Sequence, residues 1–311
     1  MSSQKTQLKC IFSPKSKGEI KMVRIKVPAT SANLGVGFDC LGLALEQYAY
    51  FDFEEAEELL ISGCDPVFQT EDNLIYQAFT YTLEKLGQKS RAIHLNIDSS
   101  IPPARGLGSS ATCVVGGVLG AFALTKTPVD HYQVLQIATE IEGHPDNVAP
   151  ALYGGLIASF MGENKIYTQK YDIHDSYRFV VFSPDFETST KEARERLPEK
   201  IAFSHAVANQ SKLVFALASL ASGDGELLQA VQTDQLHEPY RKVMIHEFDD
   251  VAAFAREAGA CSVLISGSGP SILAIFQEEV PIEKLRTQVS SLQHEWKCYT
   301  VNVDLGGAGI C

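Results

Sequence analysis

Positive charge is scarce in this sequence of 311 residues. It has 26 lysines and arginines against 38 aspartates and glutamates, which gives a formal net charge of −12. This excess of negative charge argues against nucleic acid or an anionic membrane as the main partner, because both would repel it. A local basic pocket is compatible with the same composition.

Long hydrophobic runs are also lacking. The longest apolar run, from Ala111 to Leu124, is interrupted by glycine and too short for a membrane span, and the N-terminus has no apolar segment typical of a signal peptide. The seven cysteines are scattered, without a CxxC pair or an adjacent pair of histidines. These absences predict neither a disulfide framework nor a zinc site, and they favour the reducing cytoplasm.

Apolar material for a large core is present. Hydrophobic residues make up 45% of the chain, and the length favours two domains. Strands and helices mix without strict alternation, which favours the α+β class over a doubly wound parallel sheet. We expect residues 1–21 to be a flexible N-terminal extension, residues 22–170 to form the first domain and residues 171–311 the second.

The stretch "RGLGSSAT" places Gly106 and Gly108 directly before a predicted helix of small residues. A helix N-terminus presents unpaired N–H groups and partial positive charge, and glycine lets a phosphate approach the backbone closely. The lysine of the Walker motif GxxxxGK[ST] is missing, so the stretch is not a P-loop of that type. On these residues alone, an ordinary loop with a helix cap is favoured over a phosphate site.

Three further segments combine glycine with polar residues. They are "VPATSANLGVGFDCLGLAL", "EIEGHPDNVAPALYGG" and "LISGSGPSILAIF". Turn chemistry explains each of them alone. Together with the glycine-serine stretch they resemble the signatures of the GHMP kinase superfamily, and "STKEARERLP" and "HEPYR" resemble the homoserine kinase family within it. The resemblance runs from about Met22 to Asp304.

This resemblance implies a GHMP kinase fold, in which an N-terminal α+β domain contains a left-handed βαβ crossover and the C-terminal domain is ferredoxin-like. It implies ATP-dependent phosphorylation of the L-homoserine hydroxyl to O-phospho-L-homoserine in threonine biosynthesis, with Mg²⁺ as the metal. A homodimer in the cytoplasm is a further implication. The alternatives are another GHMP kinase, of the mevalonate or sugar type, and a non-catalytic ATP-binding regulator on the same scaffold.

The resemblance also assigns residues to ATP and Mg²⁺. Asn73 falls where the family contacts the nucleotide base, although helix capping by the Asp72–Asn73 pair is an equal alternative. Ser110 and Glu140 match the metal ligands, and Glu140 is preferred to Glu142, which lies on roughly the opposite side of the helix. The glycine-loop residues expected to bind ATP are Pro103, Arg105, Gly106, Leu107, Gly108, Ser109, Ser110 and Ala111.

The residues for the phosphate acceptor are matched in the same way. Asp39 and Asn33 correspond to the family's contacts with the substrate amine and hydroxyl. Arg194 and Arg241 correspond to its carboxylate clamp, with Thr190 as a weaker candidate. The chemistry is suitable, because an ammonium group needs an anion and a carboxylate matches the arginine fork. Without the resemblance, surface ion pairs would explain both arginines better.

The candidates for catalysis are Ser110, Glu140, His144 and Asn147. Several GHMP kinases have an aspartate where this chain has Asn147, and an amide nitrogen cannot accept a proton. The resemblance therefore implies catalysis by positioning and charge stabilisation, with the γ-phosphate accepting the proton. His144 can titrate near neutral pH, and a hydrogen-bonded structural role is an equal alternative for it.

Overall fold

The computed structural model describes residues 22–311, which form two β-sheets and the helices that pack on them. The predicted N-terminal extension, residues 1–21, lies outside the described residues. This mixture of elements confirms the α+β class. Within residues 22–311, no helix is both long enough and apolar enough to cross a membrane.

The first sheet contains most of the strands. Its members within the described residues are β1 (Val23–Ala32), β2 (Leu41–Glu55), β3 (Leu60–Ser62), β4 (Ile93–Ser99), β5 (Leu156–Met161), β6 (Ile166–Tyr171) and β11 (Gly309–Ile310). They pair in the order β11-β1-β2-β4-β3, with β5 beside β2 and β6 beside β5. Strand β2 is antiparallel to β1, β4 and β5, so its buried Phe51 and Phe53 lie near the centre of the core.

The small residues of helix α2 allow it to pack closely on this sheet. The helices beside the sheet are α1 (Leu74–Lys85), α2 (Ser109–Leu124), α3 (His131–Glu142) and α4 (Pro145–Tyr153). A Cβ atom added at Gly116 would overlap the ring of Phe51, and one added at Gly120 would overlap the ring of Phe53. The glycines therefore let α2 lie directly on β2, which fixes the position of its N-terminus.

The second sheet is antiparallel and ferredoxin-like. Its strands are β7 (Arg178–Pro184), β8 (Ser262–Ile265), β9 (Ile272–Phe276) and β10 (Trp296–Val301), in the order β10-β7-β9-β8. The helices of this part are α5 (Thr190–Glu195), α6 (Phe203–Ser222), α7 (Gly225–Val231), α8 (Glu238–Arg241), α9 (Phe248–Glu257) and α10 (Ile282–Val289). Helical segments separate β7 from β8 and β9 from β10, which is the βαββαβ order of a ferredoxin-like unit.

Two predicted details of chain organisation, the handedness of a βαβ unit and the domain boundary, stay predictions. Strands β3 and β4 are parallel and α1 lies between them in sequence, which makes a βαβ unit whose left-handedness stays a prediction. The division at residues 170 and 171 also stays a prediction. The far end of the chain returns to the first sheet, since Ile310 pairs with Ile25.

Candidate active site

Two cavities meet at the N-terminus of α2. We call the first, of about 130 Å³, the charged cavity. It brings together the predicted residues Asn33, Asp39, Arg105, Gly106, Gly108, Ser109, Ser110, His144, Asn147, Thr190, Arg194 and Arg241. The second, of about 500 Å³, is the apolar cavity, whose lining includes Phe51, Phe68, Asn73, Ile97 and Pro103. Ser109 and Ser110 line both cavities, so the glycine-serine stretch forms their common wall.

The glycine loop is shaped by left-handed backbone conformations. Gly106 and Gly108 have φ angles of 72° and 68°, and Gly108 is the N-cap residue of α2 without a side-chain cap. The Gly106 carbonyl accepts a 2.6 Å hydrogen bond from Ser266 Oγ, and the Leu107 carbonyl accepts one of 3.1 Å from the Thr30 N–H. The loop carbonyls are thus bound to protein, while the first turn of α2 supplies N–H groups suited to an anion.

Two of the residues predicted to bind phosphate, Leu107 and Ala111, could do so only through the backbone. The side chains of Leu107 and Ala111 are buried in the core, at 1% and 0% exposure, and line neither cavity. Arg105 has partners within the protein. Its guanidinium donates to the carbonyls of Pro184 and Asp185 at 2.9 and 2.8 Å and lies 3.1 Å from Glu187, so it ties the loop to the segment before α5. It also lines the charged cavity, and its contact with a phosphate stays a prediction.

The acidic residue beside Ser110 is Glu142. The sequence favours Glu140 as the partner of Ser110 in a metal site, and the position of Glu140 contradicts that preference. Ser110 Oγ donates a 2.8 Å hydrogen bond to Glu142 Oε2. Glu140 is bound instead by Lys85 Nζ at 2.7 Å and by Tyr81 Oη at 2.9 Å, outside the charged cavity. Because α3 ends at Glu142, its packing against α1 and α2 decides which of the two carboxylates faces Ser110.

The Ser110–Glu142 pair has the donor chemistry that Mg²⁺ prefers. A hydroxyl and a carboxylate are hard oxygen ligands, and Mg²⁺ is commonly bound by one or two carboxylates together with substrate phosphates and water. Residues 22–311 contain no group of three or more His, Cys, Asp or Glu side chains placed to hold a metal ion by themselves. Burial raises the pKa of Glu142, a cost that a bound cation would offset.

His144 and Asn147 flank the start of α4, and both are hydrogen-bonded. His144 Nδ1 donates to the buried Asp146 carboxylate at 2.6 Å, and this bond raises the pKa of His144. The Asn147 Oδ1 atom accepts a 2.7 Å hydrogen bond from Thr30 Oγ1. Its Nδ2 group is therefore the part of this side chain that can act on a ligand, and it can only donate.

Asn33 and Asp39 are joined in one turn. The Asn33 amide donates to the Gly267 carbonyl at 2.7 Å and accepts the Asp39 N–H at 3.0 Å. Both residues have positive φ, 71° for Asn33 and 50° for Asp39. The amide of Asn33 is thus committed to fixing the backbone at Asp39, whose carboxylate lines the charged cavity.

The two arginines differ in their surroundings. Arg194 donates two hydrogen bonds to Asp39, of 3.0 and 2.9 Å, which raise the pKa of Arg194. Arg241 is buried, at 2% exposure, and donates to the carbonyls of Ala193 and Gly267 at 3.3 and 3.2 Å. Burial lowers the pKa of Arg241. Thr190 lies beside them, with its hydroxyl 3.1 Å from Ser268 Oγ.

Of the Asp72–Asn73 pair, Asn73 is the N-cap residue of α1. Its Oδ1 accepts hydrogen bonds from the Ile75 and Tyr76 N–H groups, and its Nδ2 donates to the Phe68 carbonyl at 2.9 Å. These contacts confirm helix capping as one role of Asn73. The residue also lines the apolar cavity, so a contact with a nucleotide base stays a prediction.

Sequence reasoning missed several residues of the charged cavity. Asp146, Thr188, Gly267 and Ser268 line it, and none was assigned a role. His237, in the segment "HEPYR", is fully buried, stacks on Phe38 at 5.0 Å and has its Nε2 2.9 Å from the Gly35 carbonyl. Except for Thr188, which directly precedes "STKEARERLP", the only signal in the sequence was their position inside the quoted segments, most of which meet at this cavity.

Comparisons with known proteins agree with this geometry. The GHMP kinases N terminal domain model matches residues 73–155, and the GHMP kinases C terminal model matches residues 216–294. The chain is 41% identical over 293 residues to a homoserine kinase of Clostridium beijerinckii, which covers 93% of this chain and 98% of that protein. It is 37% identical over 297 residues to a homoserine kinase of Caldicellulosiruptor bescii, with 93% and 97% covered.

A solved structure extends the likeness to three dimensions. The crystal structure of a homoserine kinase from Cytophaga hutchinsonii superposes with a TM-score of 0.86 at 29% identity. That alignment covers 97% of this chain and 100% of the other. The alignment therefore spans both sheets.

Proposed function

The chain belongs to the homoserine kinase family of the GHMP kinases, which are ATP-dependent small-molecule kinases, and from this premise we propose that it transfers the γ-phosphoryl group of ATP to the hydroxyl of L-homoserine. One observation carries the proposal. The charged cavity contains the N-terminus of α2 together with one carboxylate, Asp39, and two arginines, Arg194 and Arg241. A phosphate site and groups complementary to an α-amino acid are thus adjacent.

In this proposal the acceptor is bound through its two charges. Asp39 pairs with the α-ammonium group, and Arg194 and Arg241 hold the α-carboxylate. The buried Arg241 supports this assignment, because no carboxylate of residues 22–311 lies within ion-pair distance of it. A buried guanidinium bound only by carbonyls retains net positive charge that an anionic ligand can neutralise.

ATP binds across both cavities in this proposal. The backbone N–H groups of the glycine loop and the first turn of α2 hold the phosphates, and the base lies in the apolar cavity near Asn73. Ser110 and Glu142 would hold Mg²⁺, which would supply neutralisation of the phosphate charge. The assignment of Glu142 follows from its hydrogen bond to Ser110.

The chain contributes positioning and charge to the transfer step. The homoserine hydroxyl oxygen forms a bond to the γ-phosphorus while the bond from that phosphorus to the β,γ-bridging oxygen breaks, which releases ADP. Asn147 cannot accept the hydroxyl proton, because a carboxamide is not a base at neutral pH, and its Oδ1 already accepts a hydrogen bond from Thr30. The γ-phosphate oxygens accept that proton, and Asn147 Nδ2 and His144 stabilise charge around them.

Other expectations from the sequence are carried into the proposal. They are a homodimer, a cytoplasmic location and the lack of a nucleic-acid or membrane partner. Sedimentation of the purified protein tests the dimer, since a monomer at micromolar concentration would contradict it. Chromatography on a nucleic-acid matrix and sedimentation with anionic vesicles test the two excluded partners.

The proposed reaction is tested by ADP release with L-homoserine, L-serine and mevalonate as acceptors. We expect release above background with L-homoserine and much slower release with the other two. Background release with L-homoserine and a clear rise with mevalonate would overturn the proposal in favour of another GHMP kinase. Binding of ATP without phosphate transfer to any acceptor would indicate a regulator.

A further inference from the structure

The residues assigned to the two opposite charges of the acceptor are paired with each other in the structure. Arg194 Nη1 and Nη2 donate to the two carboxylate oxygens of Asp39 at 3.0 and 2.9 Å, which is a parallel two-bond ion pair. The side chains are 47% and 36% exposed and both line the charged cavity. A ligand group that takes the paired face of either residue must therefore displace the other residue.

The surrounding contacts hold the rest of the site in place, so a ligand would separate Arg194 from Asp39 without moving their neighbours. The Asp39 backbone is fixed by its hydrogen bond to Asn33, and Arg241 is held by the carbonyls of Ala193 and Gly267. The ring of Phe38 lies beneath both arginines, 5.9 Å from the Arg194 guanidinium carbon and 5.0 Å from that of Arg241. The Asp39–Arg194 contact is the half-exposed part of this assembly.

A ligand with two charges exchanges with this pair without leaving a charge behind. Its ammonium group replaces Arg194 at Asp39, and its carboxylate replaces Asp39 at Arg194. A ligand with a carboxylate alone either leaves Asp39 without a partner or leaves Arg194 bound to Asp39. Discrimination by unpaired charge is an effective way to reject a wrong ligand.

We propose that the Asp39–Arg194 ion pair acts as a charge filter that selects zwitterionic alcohols over alcohols with a single charge. The inference rests on the proposed function and deepens it, because it explains rejection as well as binding. A role of Asp39 limited to contact with the ligand makes a different prediction. If Asp39 only bound the ammonium group, its removal would not affect a ligand that has no ammonium group.

The test uses L-homoserine and two analogues, 4-hydroxybutanoate without the amino group and 3-aminopropan-1-ol without the carboxylate. Dissociation constants are measured by ligand-observed NMR titration, so that the result does not depend on turnover. Asp39→Asn retains a residue type that tolerates the positive φ of 50° at this position. Arg194→Gln is the complementary variant, and Asp249→Asn, which breaks the surface Lys242–Asp249 pair, is the matched control.

The filter predicts a gain of binding in each variant. Asp39→Asn should bind 4-hydroxybutanoate roughly two- to fivefold more tightly than the wild type, in line with the release of one half-exposed ion pair. Arg194→Gln should gain similarly for 3-aminopropan-1-ol, both variants should bind L-homoserine more weakly, and Asp249→Asn should match the wild type. Thermal melting checks that each variant is folded, and either variant alone provides the test.

Unchanged or weaker binding of the singly charged analogue in its folded variant would overturn the filter. Failure of the proposed function gives a different result. In that case the wild type does not phosphorylate L-homoserine, while the binding gains still report whether the pair selects zwitterions.

Discussion

Ser110 and Glu142 are joined by a 2.8 Å hydrogen bond that connects the first turn of α2 to the last residue of α3. The neighbouring acidic residue, Glu140, is held outside the cavity by Lys85. This contact places a carboxylate against the glycine loop, where we propose that Mg²⁺ is bound. It also gives two glutamates on one helix with clearly different surroundings.

Exchange of these two glutamates for glutamine should therefore have unequal effects. Glu142→Gln should lower kcat by at least about tenfold and raise the Mg²⁺ concentration needed for half-maximal activity, because an amide is a weaker ligand than a carboxylate. Glu140→Gln loses an exposed ion pair and should stay near wild-type activity. Mg²⁺ titration of both variants is the measurement, and equal loss in the two would contradict the assignment.

Gly108 should not tolerate alanine. Its φ of 68° is unfavourable for any residue with a Cβ atom, and a Cβ there would overlap Thr30 Oγ1 and lie 3.2 Å from Asn147 Oδ1. We expect Gly108→Ala to weaken ATP binding strongly, as measured by nucleotide titration. Gly87→Ala is the matched control, since its φ is 65° with no atom within 4 Å of the added Cβ, and it should cost about 1 kcal/mol of stability without loss of ATP binding.

The arginines should affect the acceptor and not the nucleotide. Arg194→Ala and Arg241→Ala should each raise the KM for L-homoserine roughly 10- to 100-fold, because hydrogen bonds to charged groups contribute about 1.5–3 kcal/mol. The KM for ATP should change little. Arg196→Ala, on the same turn as Arg194 but outside both cavities, is the control and should resemble the wild type. A parallel rise of both KM values would mean that the arginines are misassigned.

His144 should make stability depend on pH. Its pKa in the folded protein is raised above 6.5 by the hydrogen bond to Asp146, so the charged form is favoured on folding. The stabilisation is present in full below about pH 6.5 and is lost as the pH rises through the raised pKa. Denaturant unfolding of the wild type and His144→Gln should show the difference between them shrinking across that window. A difference that stays constant with pH would contradict the ionic role.

Local features of the sequence predicted much of the fold and the chemistry of the site. Gly106 and Gly108 before a helix of small residues predicted the loop, because left-handed glycine and close packing are encoded by residue type. The choice between Glu140 and Glu142 was not accessible in this way. It depends on the orientation of α3 about its own axis, which places Glu140 against Tyr81 and Lys85 of α1. Packing between distant segments decides that orientation.

Long-range partners were equally hidden. Arg105 is bound by carbonyls about 80 residues away, and Asp39 by an arginine 155 residues away. A charged side chain has no local pattern that indicates its partner, so sequence assigned both residues to ligands. The structure shows that each also has a partner within the protein.

Identification of the product formed from ATP and L-homoserine tests the central claim most directly. Phosphorus NMR and mass spectrometry of the reaction distinguish a phosphate ester on the side-chain oxygen from a phosphorylated amine or carboxylate. The account predicts one new phosphomonoester, coupled to the two protons of the adjacent methylene and formed in equal amount with ADP. ADP formed without that ester, or phosphate on another group of the acceptor, would contradict it.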